Sequence, residues 1–133
     1  MAEVRLYITA DISPTESLEK VESAITSVLG PIQFTVTKKR GYSRLEAEAS
    51  GLDSLRKLRE GIARERIRDA TRAMLTRWSA KREKVSFTLN RQAAYAGHLS
   101  LYQAAHAPLG PIEVEVEGPP EKIIEFLTGK TKA

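Results

Sequence analysis

The spacing of apolar positions changes several times along the chain, and each change marks a predicted element. Across residues 3–12, Val4, Leu6, Ile8 and Ala10 alternate with Glu3, Arg5, Tyr7 and Thr9, the period of a half-buried strand. Ser13-Pro14-Thr15-Glu16 has the form of a capping box with proline at the first helical position. Leu18, Val21, Ile25, Val28 and Leu29 follow at helical spacing until Gly30-Pro31, so a helix opening at the box is expected. Residues 32–38 and 44–50 read as two strands around a turn at Arg40-Gly41-Tyr42, with Leu45, Ala47 and Ala49 alternating against Arg44, Glu46 and Glu48.

From Leu52 to Trp78 the period becomes helical. Leu55, Leu58 and Ile62 share one stripe, and Ile67, Ala70, Met74 and Trp78 share another. The five-residue step from Ile62 to Ile67 rotates the stripe by about 140° at ~100° per residue. One straight helix cannot bury both, so two are predicted, over 52–63 and 65–78, with a break near 61–64. Residues 85–89 return to strand. The small-residue run 90–97 predicts a helical turn, 98–102 an extended path, and Pro108-Leu109-Gly110-Pro111 a loop. Ile112, Val114 and Val116 alternate with Glu113, Glu115 and Glu117, and Gly118-Pro119-Pro120-Glu121 opens a last helix that buries Ile123, Ile124 and Leu127. Hairpins mixed with helices in this order predict an α+β two-layer sandwich: a mainly antiparallel sheet of five or six strands with helices packed on it. Residues 1–129 are expected to form a single domain, with 130–133 a short C-terminal tail.

Charge changes the picture in one place. Between Leu52 and Lys84 lie 11 of the chain's 21 basic residues against 5 acids, Asp53, Glu60, Glu65, Asp69 and Glu83. That segment carries +6. Residues 1–51 hold 6 basic and 7 acidic side chains, and residues 85–133 hold 4 and 5, so each flank is −1. So local an asymmetry points to a polyanionic partner. Its bland counterpart is a solvated helix face laced with pairs such as Glu65–Arg68 and Asp69–Arg72. A second cationic run, Lys38-Lys39-Arg40, sits at the predicted hairpin tip with no acid close by in sequence. Four amide residues alongside abundant Arg, Lys and Glu match the thermophile bias, in which ion-pair networks absorb part of the charge.

Other chemistry is thinly supplied. Cysteine is absent, which excludes disulfides, thiolate zinc sites and a cysteine nucleophile. His98 and His106 have no partner at metal-ligand spacing, no serine sits in a nucleophile elbow, and Gly129-Lys130-Thr131 lacks the upstream glycine of a phosphate loop. The acids at 113, 115 and 117 read as the wet face of an edge strand. With no secretion signal and no apolar run near the ~20 residues of a membrane helix, a cytoplasmic, non-membrane protein is expected. No cofactor, metal or catalytic residue is expected either.

Glu65-Arg66-Ile67-Arg68-Asp69-Ala70-Thr71-Arg72, then Asn90-Arg91-Gln92-Ala93-Ala94 with Gly97, then Pro108-Leu109-Gly110, then 121–127 with Thr131, together resemble a small archaeal family of uncharacterised proteins. That family is described as predicted RNA-binding and is related in fold to the large-subunit ribosomal protein that binds 5S rRNA. The resemblance implies an α+β fold, an RNA-binding role and no established catalytic activity. Arg68, Asp69, Arg72, Asn90 and Gln92 are positions that match the family pattern. Some members are labelled by gene neighbourhood with dephospho-coenzyme A kinase, an association that carries no mechanism.

Three functional expectations follow. The first is a non-catalytic protein that binds structured or duplex RNA through its phosphate backbone. Its contacts would be Lys38, Lys39, Arg40, Arg56, Lys57, Arg59, Arg64, Lys81, Arg82, Lys84 and Arg91, with 65–72 serving the fold instead. The second is a homodimer or partner-binding protein that uses sheet edges or the 93–97 region. The third is a small-ligand module, linked to coenzyme A metabolism by association only, with a pocket lined by Asn90, Arg91, Gln92 and His98.

Overall fold

The computed structural model describes residues 4–79, 83–102 and 111–129. In chain order its elements are β1 (Arg5–Ile12), α1 (Leu18–Leu29), β2 (Phe34–Lys39), β3 (Tyr42–Ser50), a 3₁₀ turn (Leu52–Leu55), α2 (Arg56–Arg64), α3 (Arg68–Trp78), β4 (Lys84–Leu89), α4 (Arg91–Tyr95), β5 (Leu101–Tyr102), β6 (Ile112–Glu117) and α5 (Pro120–Thr128). The strands form one antiparallel sheet in the order β2-β3-β1-β6-β4-β5, five full strands and a two-residue edge. The helices lie on one face of it, so the α+β two-layer sandwich read from the sequence is the fold observed. Lys81, Arg82, His106, Pro108-Leu109-Gly110 and the tail 130–133 lie outside the described residues.

Register decides which side chains meet the helices. Leu6 pairs with Ala49 and Val116, Ile8 with Ala47 and Val114, and Phe87 with Val114. Each such rung puts apolar groups on one side only, because strand side chains alternate. Against them pack Val21, Ile25 and Val28 of α1, Leu58 and Ile62 of α2, Leu75 of α3, and Ile123 and Leu127 of α5, all buried. Each large aliphatic side chain in this layer stabilises the fold by roughly 1.5–3 kcal/mol.

Several local expectations are corrected. β6 lies between β1 and β4 inside the sheet, so Glu113, Glu115 and Glu117 line its open face and not an edge strand. Half of the box at 13–16 forms, as a separate turn: the Ser13 N–H donates to Glu16 Oε1 at 3.1 Å, while the Glu16 N–H goes to the Ser13 carbonyl and not to its hydroxyl. The helix starts at Leu18, capped by Ser17, whose Oγ accepts from the Lys20 N–H at 3.3 Å. On α3 the fully buried line is Thr71 and Leu75, while Ile67, Met74 and Trp78 are half-buried and Ala70 is exposed. A break between the two helices is present, but it lies in a tight turn at residues 65–67 and not near 61–64: α2 runs on to Arg64 and α3 starts at Arg68.

Candidate nucleic-acid interface

The open side of the sheet and the α2–α3 segment of the helix side carry opposite charge. On the open side of the sheet, facing away from the helices, the register places Asp11, Glu46, Glu48, Glu113, Glu115 and Glu117 together with Arg5, Lys39, Arg44 and Lys84. Six acids thus face four bases, and several are already paired: Arg44 with Asp11 at 2.8 Å, Lys84 with Glu115 at 2.9 Å and Arg5 with Glu48 at 3.6 Å. Asp11 raises the Arg44 guanidinium above its ordinary pKa, by hydrogen bonding first and by charge second. Tyr7 donates its hydroxyl proton to Glu117 at 3.1 Å.

Across α2, the following turn and α3 the balance reverses. Residues 56–78 hold eight bases (Arg56, Lys57, Arg59, Arg64, Arg66, Arg68, Arg72 and Arg77) and three acids (Glu60, Glu65 and Asp69). The pairs expected within 65–72 do not form. Glu65 turns instead to His98, with Oε2 2.9 Å from Nδ1. That hydrogen bond is the main reason its carboxyl lies below the ordinary glutamate range. Arg72 reaches across to Glu125 of α5 at 2.7 Å. Arg56 pairs with Asp53 at 2.7 Å, both well exposed. Arg64, Arg66, Arg68 and Arg77 form no ion pair among the described residues.

The cations named from the sequence do not form one surface. Arg56, Lys57, Arg59 and Arg64 are on α2, where Arg59 is half-buried with its guanidinium 5.2 Å from the centre of the Phe126 ring. Lys57 is also half-buried, and its Cβ packs beneath Gly30. Lys38, Lys39 and Arg40 are exposed at the β2–β3 tip. Strand β3 runs the nine residues from that tip to the turn preceding α2, about 27 Å at ~3.3 Å per residue. Lys84 points out of the sheet's open side, away from α2, because it is paired in register with Glu117 there.

Arg91 is a correction. Its side chain is only 3% exposed, and both terminal nitrogens of its guanidinium are engaged within the fold. Nη1 donates to both oxygens of Glu16, and Nη2 donates to the carbonyls of Asp11 and Pro111 at 2.9 Å each. Burial pushes the Glu16 carboxyl up, but the Ser13 N–H and the Arg91 charge outweigh it and hold the group below its usual range. Asn90 is the cap of α4, its Oδ1 accepting from the Ala93 N–H at 3.0 Å. Gln92 is exposed on that helix. A groove of about 1140 Å³ runs along α1, but it meets α4 only at Tyr95 and the two residues after it. Arg91 therefore lines no ligand pocket there. Among the described residues no group of carboxylates and histidines is assembled to hold a metal.

A family model described as RNA binding matches residues 5–117. A UPF0201 protein of Aeropyrum pernix is 33% identical over 130 residues, covering 96% of this chain and 87% of that protein. One from Sulfurisphaera tokodaii is 35% identical over 130 residues, with 96% and 88% covered. The chain belongs to the UPF0201 family. The crystal structure of a UPF0201 protein from Methanococcus jannaschii superposes with a TM-score of 0.80 at 28% identity, covering 93% of this chain and 98% of that one. A DUF54 protein of Sulfolobus solfataricus shares the fold, with a TM-score of 0.70 at 18% identity over 92% and 96% of the two chains. This places a UPF0201 fold with an RNA-binding family model on a chain whose α2–α3 segment is cationic and whose open sheet side is acidic. No helix among the described residues is long and apolar enough to cross a membrane.

Proposed function

We propose that this UPF0201 protein binds structured RNA through its helix side, as a backbone-reading protein without chemistry of its own. The observation that carries the reading is the separation of charge: eight bases against three acids on residues 56–78, and six acids against four bases on the open sheet side. A polyanion is drawn to the first surface and repelled by the second. Arg56, Lys57 and Arg64 of α2 would contact phosphates directly, and Arg59 would support them from its place over Phe126. The tip Lys38-Lys39-Arg40 is a separate arm, useful to a ligand long enough to span β3. Few exposed aromatic side chains accompany these cations, which favours shape and backbone over base stacking. The label on the family model agrees with this reading.

The test is binding of a structured RNA across a salt series. Affinity should fall steeply, with a log–log slope of about −0.9 for each phosphate neutralised. Replacing Arg56 and Arg64 together by Glu should flatten the slope and weaken binding by at least tenfold. Unchanged affinity at low salt would place the interface elsewhere. A second reading is self-association through β2, an edge strand whose Val36 is 40% exposed. Light scattering decides it: a monomer at high concentration removes it.

A further inference from the structure

Arg66 is the residue with positive φ among the described non-glycine residues, at +60°. It stands where α2 ends. The Ile67 N–H reaches back to the Ile62 carbonyl at 3.2 Å, and the Arg66 N–H to the Ala63 carbonyl at 3.1 Å. These two bonds close a Schellman turn, whose left-handed position glycine fills most readily because it has no Cβ to clash with its own carbonyl. Gly41, Gly51 and Gly97 hold the positive-φ places at other turns of this chain. At this turn the position is taken by an exposed arginine that gains no ion pair among the described residues.

Its neighbours point the same way. Arg64 precedes it on the last turn of α2, and Arg68 follows it on the first turn of α3. Glu65, the acid between them, is drawn off by His98. The turn therefore gathers three arginines at the junction of the two cationic helices against two carboxylates, Glu65, which is hydrogen-bonded to His98, and Asp69 on the first turn of α3. The side chain at a left-handed position leaves the chain in a direction that neither helix offers.

We propose that Arg66, flanked by Arg64 and Arg68, is a phosphate-contacting residue at the centre of the RNA surface, and that its left-handed backbone is retained for that contact at the expense of stability. This rests on the RNA reading above and sharpens it. The centre of binding moves from the body of α2 to the α2–α3 turn, within a segment whose sequence had pointed to a role in the fold. The ligand recognised is the sugar–phosphate backbone of a folded RNA.

The experiment compares the wild type with Arg66→Gly, Arg66→Asn and Arg66→Lys, using an RNA duplex of roughly 16 base pairs. Glycine relieves the strained position, so Tm should rise by about 3–5 °C. Asparagine tolerates the left-handed region without carrying charge. Both should lose affinity three- to tenfold at about 0.1 M salt and lower the salt slope by about one phosphate. Lysine should keep most of the slope, because it keeps the charge. If Arg66→Gly melts higher yet binds with unchanged affinity and slope, the arginine has no part in binding and the proposal is wrong. If the wild type itself shows no salt-dependent binding to the duplex, the RNA reading fails, and this inference with it.

Discussion

Arg91 and Glu16 meet across 75 positions of sequence, the guanidinium Nη1 lying 2.8 Å and 2.9 Å from the two carboxylate oxygens. The pair joins the start of α4 to the turn before α1. Through Nη2 it also ties the carbonyl of Asp11 to that of Pro111, at the ends of the neighbouring strands β1 and β6. Removing one partner of such a buried pair strands the other, at a cost of about 3–5 kcal/mol. Glu16 keeps 25% exposure, so water can reclaim it and the lower end applies. Arg91→Ala should cost about 3 kcal/mol in urea unfolding, while RNA affinity measured on the folded fraction stays at the wild-type value. A loss of affinity without a loss of stability would return Arg91 to the interface.

The same pair sets an acid limit. Glu16 titrates below the ordinary glutamate range in the folded protein, so the unfolded chain binds its proton at higher pH than the native one does. The stabilisation is fully present above the unfolded pKa and is lost as pH falls through the folded one. Glu16→Gln removes this dependence. Thermal melts from about pH 7 down to pH 3 should show a wild-type advantage over the variant that shrinks through the acid range and vanishes once Glu16 is protonated. A gap that stays constant with pH would mean the carboxylate charge contributes nothing.

The contrast between Arg91 and Arg66 shows where the sequence was legible and where it was not. The α2–α3 break was visible because the apolar stripe jumps five residues between Ile62 and Ile67, and helix geometry makes that jump intolerable in one straight rod. The buried face of each strand followed from alternation, since one face had to be apolar. What alternation and helical spacing do not encode is the partner of a long charged side chain. Arg91 looked like the other cations, and only the meeting of strand ends in space made it a buried tie. Glu65 and Arg72 were expected to pair within their own helix, but the fold offered His98 and Glu125 at better geometry. Arg66 escaped notice because a left-handed turn is ordinarily announced by glycine, and here glycine is absent.

Gly61 is a position where packing overrides propensity. It lies within α2, where alanine is intrinsically better by ~1 kcal/mol. A Cβ at this site would stand 2.5 Å from Leu99 Cδ1 and 3.3 Å from its Cγ, and Leu99 is buried. Gly61→Ala should therefore destabilise, by about 1–2 kcal/mol net of the helical gain. Shortening the neighbour should reverse the sign: Gly61→Ala with Leu99→Val should recover most of the loss in denaturant melts. A stabilising single variant would mean that Leu99 moves aside freely.

Arg72 and Glu125 join α3 to α5 at 2.7 Å, but their side chains are 45% and 67% exposed. An exposed pair is worth at most about 0.5–1 kcal/mol and is screened by salt. Arg72→Gln should shift stability by no more than that at low ionic strength, and the difference should disappear near 1 M salt. A larger, salt-resistant loss would identify Arg72 as a packing residue for α5.

Lys84 supplies the sharpest control on which side of the molecule meets RNA. It belongs to the chain's most basic stretch, yet the register turns it onto the acidic side of the sheet, where its ammonium is 2.9 Å from Glu115. A polyanion approaching that side meets Glu113, Glu115 and Glu117 first. Lys84→Gln and Arg64→Gln each remove one positive charge, so long-range attraction falls equally in the two variants. Only direct contact distinguishes them. Arg64→Gln should lower the salt slope by about one unit and Lys84→Gln should leave it unchanged. Equal losses would mean that net charge alone governs binding, and a loss confined to Lys84→Gln would put the RNA on the open sheet.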